Sequence, residues 1–351
     1  MTSTSDNTPG SVPRALFNLH GINNREKFAV WRESIACIFE VEAEKSVQND
    51  NFHAEVDAHM FGPLMLARTH TISQRWDRSP FLIGRDGMDH YMIQLYESGN
   101  MAWEHGGQHH IFPVDGLLVF DLAQGIDLQT TEFTNLSLII PRDLMEDQLK
   151  YPDDQHLRIL SGRQPLVKML RDFMLSLKRN APEMTFVQAQ ELSPATIGLV
   201  AACINSSVSD HPDQRAGTQM AQLTILRRLI EDNLSNVELS VGWLARRAGM
   251  SRTKLYELFE SFGGVANYVR DRRMRKALLI LTDEGMRHRP LLDVAMDVGY
   301  ANDTSFGRAF RARFGLSPGD VRGTRPESFL STAPEDGIDR RYENWLHHLS
   351  L

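Results

Sequence analysis

Arginine, threonine and an acidic residue recur at helical spacing in two stretches of the C-terminal third. The first, SRTKLYELF (251–259), offers Arg252, Thr253, Lys254, Tyr256 and Glu257. The second, NDTSFGRAFRARF (302–314), offers Asp303, Thr304, Arg308 and Arg311. Such side chains read the edges of DNA bases: Arg forks onto guanine O6 and N7, Glu accepts from cytosine N4, and a Thr methyl meets the thymine methyl. A second set, Arg246, Arg247, Arg272, Arg273 and Arg313, suits phosphate oxygens, which give affinity and salt dependence rather than sequence choice. Arg270, Arg275 and Lys276 extend that cluster. Any one of these charges could simply solvate a helix face, and only their repetition argues for more.

The elements that must hold these residues form an internal repeat, ELSVGWLARRAGMSRTKLYELFESFGG (238–264) and HRPLLDVAMDVGYANDTSFGRAFRARFG (288–315). In the first copy Ser240 is an N-cap, Val241, Leu244, Ala245 and Ala248 make a buried stripe, and Gly249 supplies a left-handed turn. Met250 then plugs the corner, Ser251 caps a second helix, and Leu255, Leu258 and Phe259 face inward. In the second copy Pro290, Leu291, Val294, Ala295, Val298, Gly299, Tyr300, Asn302, Phe306 and Phe310 take the same parts. Each copy is a helix-turn-helix, and a helix over 265–281 connects them. A lone pattern of this kind is weak evidence; two copies about fifty residues apart are specific.

Charge divides along the same line. Residues 218–326 hold 18 Lys and Arg against 12 Asp and Glu, a net of +6, so the rest of a chain of net charge −7 carries −13. A basic segment beside an acidic one suggests two jobs, with polyanion binding on the basic side. No apolar run approaches the length of a membrane span. The start is polar and lacks the order of a signal peptide, so residues 1–19 read as a flexible tail. Cys37 and Cys203 are far apart and without a partner pattern, which argues against a disulfide framework or a cysteine-based zinc site and makes a cytoplasmic protein the default.

Before the repeat the pattern differs. Phe28, Trp31 and Ile35 place a helix over 24–36, and short alternating runs from 37 to 140 read as strands punctuated by Gly-containing turns. In 52–60, Phe52, Ala54, Val56 and Ala58 take one face, while His53, Glu55, Asp57 and His59 take a solvated one. Helical periodicity returns in PRDLMEDQL, 164–179 and 185–208. The fold class expected is α+β: a small barrel followed by helices over 20–208, a polar linker at 209–217, an all-α domain over 218–326 and a loose tail at 327–351 whose end could form a short amphipathic helix.

The segments WLARRAGMSRTKLYELF (243–259), RRMRKA (272–277) and GYANDTSFGRAFRARFGLSP (299–318) resemble the AraC/XylS family of bacterial transcription regulators. The resemblance covers about residues 220–325. It implies two helix-turn-helix units on a rigid helix, reading successive major grooves, with Thr253, Glu257, Thr304 and Arg308 at the base-facing positions. Two departures stand out: ESFGGVAN (260–267) replaces the usual Gly-x-Ser-Pro turn, and Glu257 replaces a more common Arg or neutral residue. Residues 20–208 resemble, less specifically, the cupin-like effector-sensing and dimerisation barrels of the family, through Trp103-Glu104-His105 and FPVDGLLVFD (112–121). The partners implied are double-stranded DNA, a small-molecule effector, a second copy of the chain and RNA polymerase, with no membrane.

Two other readings attach to the barrel. His and carboxylate density at 53–59 and at His105, His109 and His110 raises a metal-binding cupin enzyme, but His109 and His110 point to opposite strand faces and no His-x-His spacing with a following Glu occurs. Alternatively, the barrel only dimerises. Met60, Met65, Met88, Met92 and Met101 fit ordinary packing or an adaptable apolar pocket. The expectation is no catalytic residue, no metal and no cofactor, with the effector-binding residues unassigned.

Overall fold

The computed structural model describes residues 11–49, 52–105, 107–206, 214–286, 288–323 and 337–349. They fall into two units. The first draws on Met1–Ser79, Met88–Val208 and Pro326–Leu351, the second on Pro80–Gly87 and Ser209–Arg325.

The first unit opens with β1 (Arg14–Asn18), α1 (Asn24–Ile35), β2 (Glu40–Glu42) and α2 (Lys45–Asn49). Strands β3 (Ala54–Phe61), β4 (Leu64–Thr71) and β5 (Gln74–Arg78) follow, and α3 (Pro80–Asp86) leaves to join the second unit. The chain returns as β6 (Tyr91–Ser98), β7 (Met101–His105), β8 (Gln108–Ile111), β9 (Leu117–Asp121), β10 (Ile126–Thr130), β11 (Phe133–Ile140) and β12 (Arg158–Leu160). Two helices close this run, α4 (Pro165–Asn180) and α5 (Phe186–Ser206).

The strands make two sheets, ordered β1-β3-β4-β11-β6-β9-β12 and β2-β5-β10-β7-β8. Alternation decides what each face meets. Met92 and Tyr96 of β6 and Leu118 and Phe120 of β9 join Trp76, Trp103 and Leu128 of the other sheet in one core. Their neighbours Tyr91, Ile93, Leu95, Leu117 and Val119 pack against α4 and α5 in a second core. Strand β9 and residues 91–96 of β6 are buried on both faces, so they read as apolar runs rather than alternating ones, with Gln94 of β6 the buried polar interruption. The methionines at 65, 88, 92 and 101 are core residues, with Met60 packed against them.

Several expectations need correction. Residues 14–18 are not tail: β1 pairs with β3, and Phe17 is fully buried because its partners lie some forty residues downstream. Residues 1–10 lie outside the described set. PRDLMEDQL is not one helix but two 3₁₀ turns, Arg142–Leu144 and Glu146–Gln148. Arg142 is drawn into the interior, stacked on Tyr91 and surrounded by Asp89, Asp121 and Asp153. Burial works against its charge, but these carboxylates, Asp121 foremost, outweigh it.

The 53–59 face is not uniformly solvated. His59 is 2% exposed, and Lys178 of α4 donates to Asp57 O (2.7 Å), Asp57 Oδ2 (2.9 Å) and His59 Nδ1 (3.1 Å). Burial, helped by the Lys178 ammonium, pushes His59 down to about 4, so the ring is neutral at physiological pH. Burial likewise lowers Lys178 to about 8 against the pull of Asp57. For Asp57, burial alone would raise the carboxyl; hydrogen bonds from Arg14 and Lys178 outweigh it and hold the group below its ordinary range.

The C-terminal segment is the largest revision. Helix α13 (Arg341–His348) is built into the first unit, with Ile338, Tyr342, Leu346 and Leu349 in the core between the sheets. Tyr342 Oη lies 2.8 Å from Ser34 Oγ, Glu343 also meets Ser34, and Leu16 N donates to Asp339 Oδ2 (2.9 Å). Residues 327–336 lie outside the described set.

The second unit is helical, as expected. Its elements are α6 (Gln214–Glu231), α7 (Val241–Ala248), α8 (Arg252–Leu258), α9 (Val265–Thr282), α10 (Leu291–Asp297), α11 (Asp303–Phe314) and α12 (Pro318–Gly323), together with α3. The expected linker is therefore shorter at its end: Gln214–Gly217 already lie in α6, and 209–213 fall outside the described residues. Ile83 of α3 is buried with Phe310 and Phe314 of α11, and a Cβ on Gly84 would overlap Phe314, so the two helices touch at glycine distance.

Candidate nucleic-acid interface

Each half of the repeat is set by local bonds of the same kind. Ser240 Oγ accepts from Trp243 N (3.3 Å) to open α7. Gly249 adopts φ +64°, and the next amide, Met250 N, donates back to Ala245 O (3.0 Å). Ser251 Oγ then accepts from Lys254 N (3.1 Å), opening α8. The second copy repeats the sequence of events: Gly299 at φ +73°, Tyr300 N to Ala295 O (2.8 Å), and Asn302 Oδ1 accepting from Ser305 N (2.8 Å) to open α11. The left-handed glycine lets the chain reverse while satisfying the helix's last carbonyls, and the cap satisfies the next helix's first amides.

Inner faces anchor these helices. Leu255, Leu258 and Phe259 pack with Leu226, Ile230, Leu234 and Leu244. Phe306, Phe310 and Phe314 pack with Val294, Ala295, Val298 and Val321. What stays outside are the residues singled out from the sequence. Arg252, Thr253, Tyr256 and Glu257 of α8 are exposed, as are Asp303, Thr304, Arg308 and Arg311 of α11 and Arg246 and Arg247 of α7. Two details refine the picture. Lys254 Nζ bonds Glu257 Oε2 at 3.1 Å, so these opposite charges offset each other in the free protein. A Cβ on Gly242 would stand 3.2 Å from an Arg252 amino group, which places Arg252 back across the start of α7.

Three of the arginines expected to meet phosphates are engaged within the unit. Arg273 Nε donates to Leu234 O (3.0 Å), and its amino group donates to Asn236 O (2.6 Å). Burial lowers its pKa, against the pull of Tyr300. It is a strut between α9 and the turn after α6, not a surface cation. Arg272 Nε meets Glu231 Oε1 at 2.5 Å, and Arg313 Nε meets Asp271 Oδ1 at 3.0 Å. The reason is tertiary: these partners lie about forty residues away in sequence. Sequence reasoning missed Glu231 and Asp271 because single carboxylates on helix faces carry no distinguishing signal.

Both copies hang on α9. Val265, Tyr268 and Val269 belong to the first copy's core, whereas Met274, Ala277, Leu278 and Leu281 belong to the second's. Eighteen residues of helix span about 27 Å at about 1.5 Å per residue. That is comparable to the repeat of about 34 Å that separates successive major grooves on one DNA face. Two capped helices with exposed Arg, Thr and Glu on a common rigid helix, in one chain with a two-sheet unit, define a DNA-binding transcription regulator.

Comparison with known proteins agrees. Residues 31–205 match an AraC-binding-like domain and residues 244–324 a helix-turn-helix domain. The XylDLEGF operon transcriptional activator 1 of Pseudomonas putida is 25% identical over 246 residues, covering 66% of this chain and 74% of that protein. The regulatory protein SoxS of Salmonella typhimurium is 32% identical over 107 residues, 29% of this chain and 97% of its own length. The crystal structure of the AraC-like transcriptional activator CuxR matches with a TM-score of 0.52 and 25% identity, covering 76% of this chain and 95% of that one. The chain belongs to the AraC/XylS family of transcription regulators, and its α+β first unit and helical second unit are those of that family. Among the described residues no helix is long and apolar enough to cross a membrane.

Proposed function

We propose that α8 and α11 enter successive major grooves, and that Arg252, Thr253, Lys254, Tyr256, Glu257, Asp303, Thr304, Arg308 and Arg311 face bases or their immediate surroundings. Arg246 and Arg247 would meet phosphates; Arg272, Arg273 and Arg313 act instead by bracing the unit. The observation that carries this reading is the shared anchoring of two identically closed turns on α9. A small-molecule effector bound by the two-sheet unit shifts the arrangement competent for DNA. The relatives named as activators support activation as the outcome, with RNA polymerase as a further partner. The protein acts in the cytoplasm as a homodimer built through the first unit.

The test uses a duplex selected by the protein from a random pool, beside a scrambled duplex, at several salt concentrations. Arg308→Ala should cost about 1–3 kcal/mol on the selected duplex and leave the scrambled one nearly unchanged. Arg247→Ala should weaken both and reduce the salt slope by about one. Equal weakening of both duplexes by Arg308→Ala would make Arg308 a phosphate contact. Failure of the pool to converge on any sequence would remove the reading as a whole.

A further inference from the structure

Three side chains at one end of the seven-stranded sheet converge without any part in DNA reading. His53 precedes β3, His70 is the penultimate residue of β4, and Glu132 precedes β11. Register brings them together. Ala54 and Phe133 both pair with Thr71, and Thr134 pairs with His70, so the three strands run side by side here. Ala54, Thr71 and Phe133 are buried on one face. Alternation therefore sends their immediate neighbours His53, His70 and Glu132 to the opposite face together. His53 and Glu132 both sit diagonally from His70, within side-chain reach.

The geometry is that of a ligand set. One nitrogen of each histidine and one oxygen of Glu132 all lie within 4.8 Å of one another. His53 Nε2, shielded from solvent, is 3.9 Å from Glu132 Oε1. The two imidazoles lie 4.6 Å apart between centroids, tilted by 30°. His70 Nδ1 faces Phe133 O at 3.2 Å and Thr134 Oγ1 at 3.1 Å. A carbonyl can only accept, so a proton on Nδ1 answers it and leaves Nε2 with its lone pair for an ion, the kind of backing that metal-ligating histidines receive. A tetrahedral ion with bonds of about 2.0–2.1 Å would draw its ligands to about 3.4 Å, a closure of roughly an ångström that rotation of the half-exposed His53 and exposed Glu132 side chains supplies.

We propose that His53, His70 and Glu132 bind a borderline divalent transition-metal ion of the zinc class, with water completing the coordination. Two imidazoles and one carboxylate select such ions over Ca²⁺ and Mg²⁺, which take all-oxygen shells. The ion would tie β3, β4 and β11 together at their common end. This site is separate from His109 and His110, which lie on β8 in the other sheet.

The experiment uses untagged, chelator-stripped full-length protein titrated with Zn²⁺ against a chromogenic chelator, with thermal unfolding followed in parallel. One Zn²⁺ per chain should bind and raise the unfolding temperature of the first unit, since an ion that binds only the folded form stabilises it. His70→Ala should weaken binding by at least about a hundredfold and Glu132→Gln by at least about tenfold, since outer-shell partners alone are worth about 10–100-fold. Glu132 is exposed, so Glu132→Gln keeps the fold, checked by an unchanged circular dichroism spectrum without zinc. The absence of a stoichiometric site overturns the proposal, and so does a site whose affinity neither variant changes.

Discussion

Gly249 and Gly299 occupy the same turn in the two copies, yet alanine should be tolerated far better at the first. Both sit in the left-handed region, at φ +64° and φ +73°. An L side chain there costs about 1–2 kcal/mol, less about 0.4–1 kcal/mol regained from a stiffer unfolded chain. At Gly249 that is the whole effect, because a Cβ there meets nothing within 4 Å. At Gly299 the Cβ would stand 2.4 Å from Leu234 O and 2.4 Å from an Arg273 amino nitrogen. Opening that contact adds about 1–3 kcal/mol of overpacking. Displacing Arg273 would strip partners from the carbonyls of Leu234 and Asn236, at about 1–3 kcal/mol each if they stay buried. Gly299→Ala should therefore destabilise the second unit by about 2–5 kcal/mol more than Gly249→Ala. Urea denaturation followed by far-UV circular dichroism measures the difference. A double-mutant cycle with Arg273→Met isolates the side-chain part and should show coupling of about 1 kcal/mol or more. Equal costs for the two glycine substitutions would refute the argument that Gly299 is held by space as well as by φ.

Arg273→Met alone should lower stability by about 1–3 kcal/mol yet leave the salt slope of DNA binding unchanged, since the guanidinium serves carbonyls rather than phosphates. His59 takes up a proton more readily in the unfolded chain, at about 6.5, than in the folded one, at about 4. Stability of the first unit should thus be full above the unfolded value and fall as pH drops from 6.5 toward 4, by up to about 1.4 kcal/mol per unit. His59→Gln should flatten that limb of the stability profile, and an unaltered profile would show that other groups set it. Leu346→Ala in α13 should cost about 2–5 kcal/mol in the unfolding transition of the first unit, although the residue follows the DNA-binding segment in sequence. A cost below about 0.5 kcal/mol, typical of an exposed position, would contradict its place in the core.

The repeat was legible because everything that makes it is local. Caps, left-handed glycines and a stripe of apolar residues every three or four positions act within a dozen residues, and Ser240, Gly249, Ser251, Gly299 and Asn302 all behave as their types dictate. The strand-rich character of 37–140 was legible from short runs and turns, with alternation plainest in β3. What escaped was decided across long separations. Phe17 looks like any residue in a polar leader until β3 pairs beside it, and Tyr342 and Leu346 suggest only an amphipathic turn until Ser34 and the core between the sheets receive them. Arg272, Arg273 and Arg313 have the composition of a DNA-facing cluster; their partners Glu231, Leu234 and Asp271 turn them inward. His70 was overlooked because its significance depends on three strands meeting in register, which no spacing along the chain reports.

Helix α9 also sets an angular phase. The residues that seat the first copy end at Val269 and those that seat the second begin at Met274. One residue inserted between them would turn the second copy by about 100° while advancing it only about 1.5 Å. On DNA, about 10.5 base pairs per turn means that 100° of twist corresponds to about three base pairs, or roughly 10 Å of rise. No sliding along the duplex reconciles the two. Four inserted residues give about 40° and about 6 Å, close to the twist and rise of one to two base pairs. With α8 and α11 in successive grooves and α9 lying along the duplex, as proposed, the spacing between the two halves of an operator would be set by the length of a single helix, and it should change in steps of a helical turn rather than residue by residue.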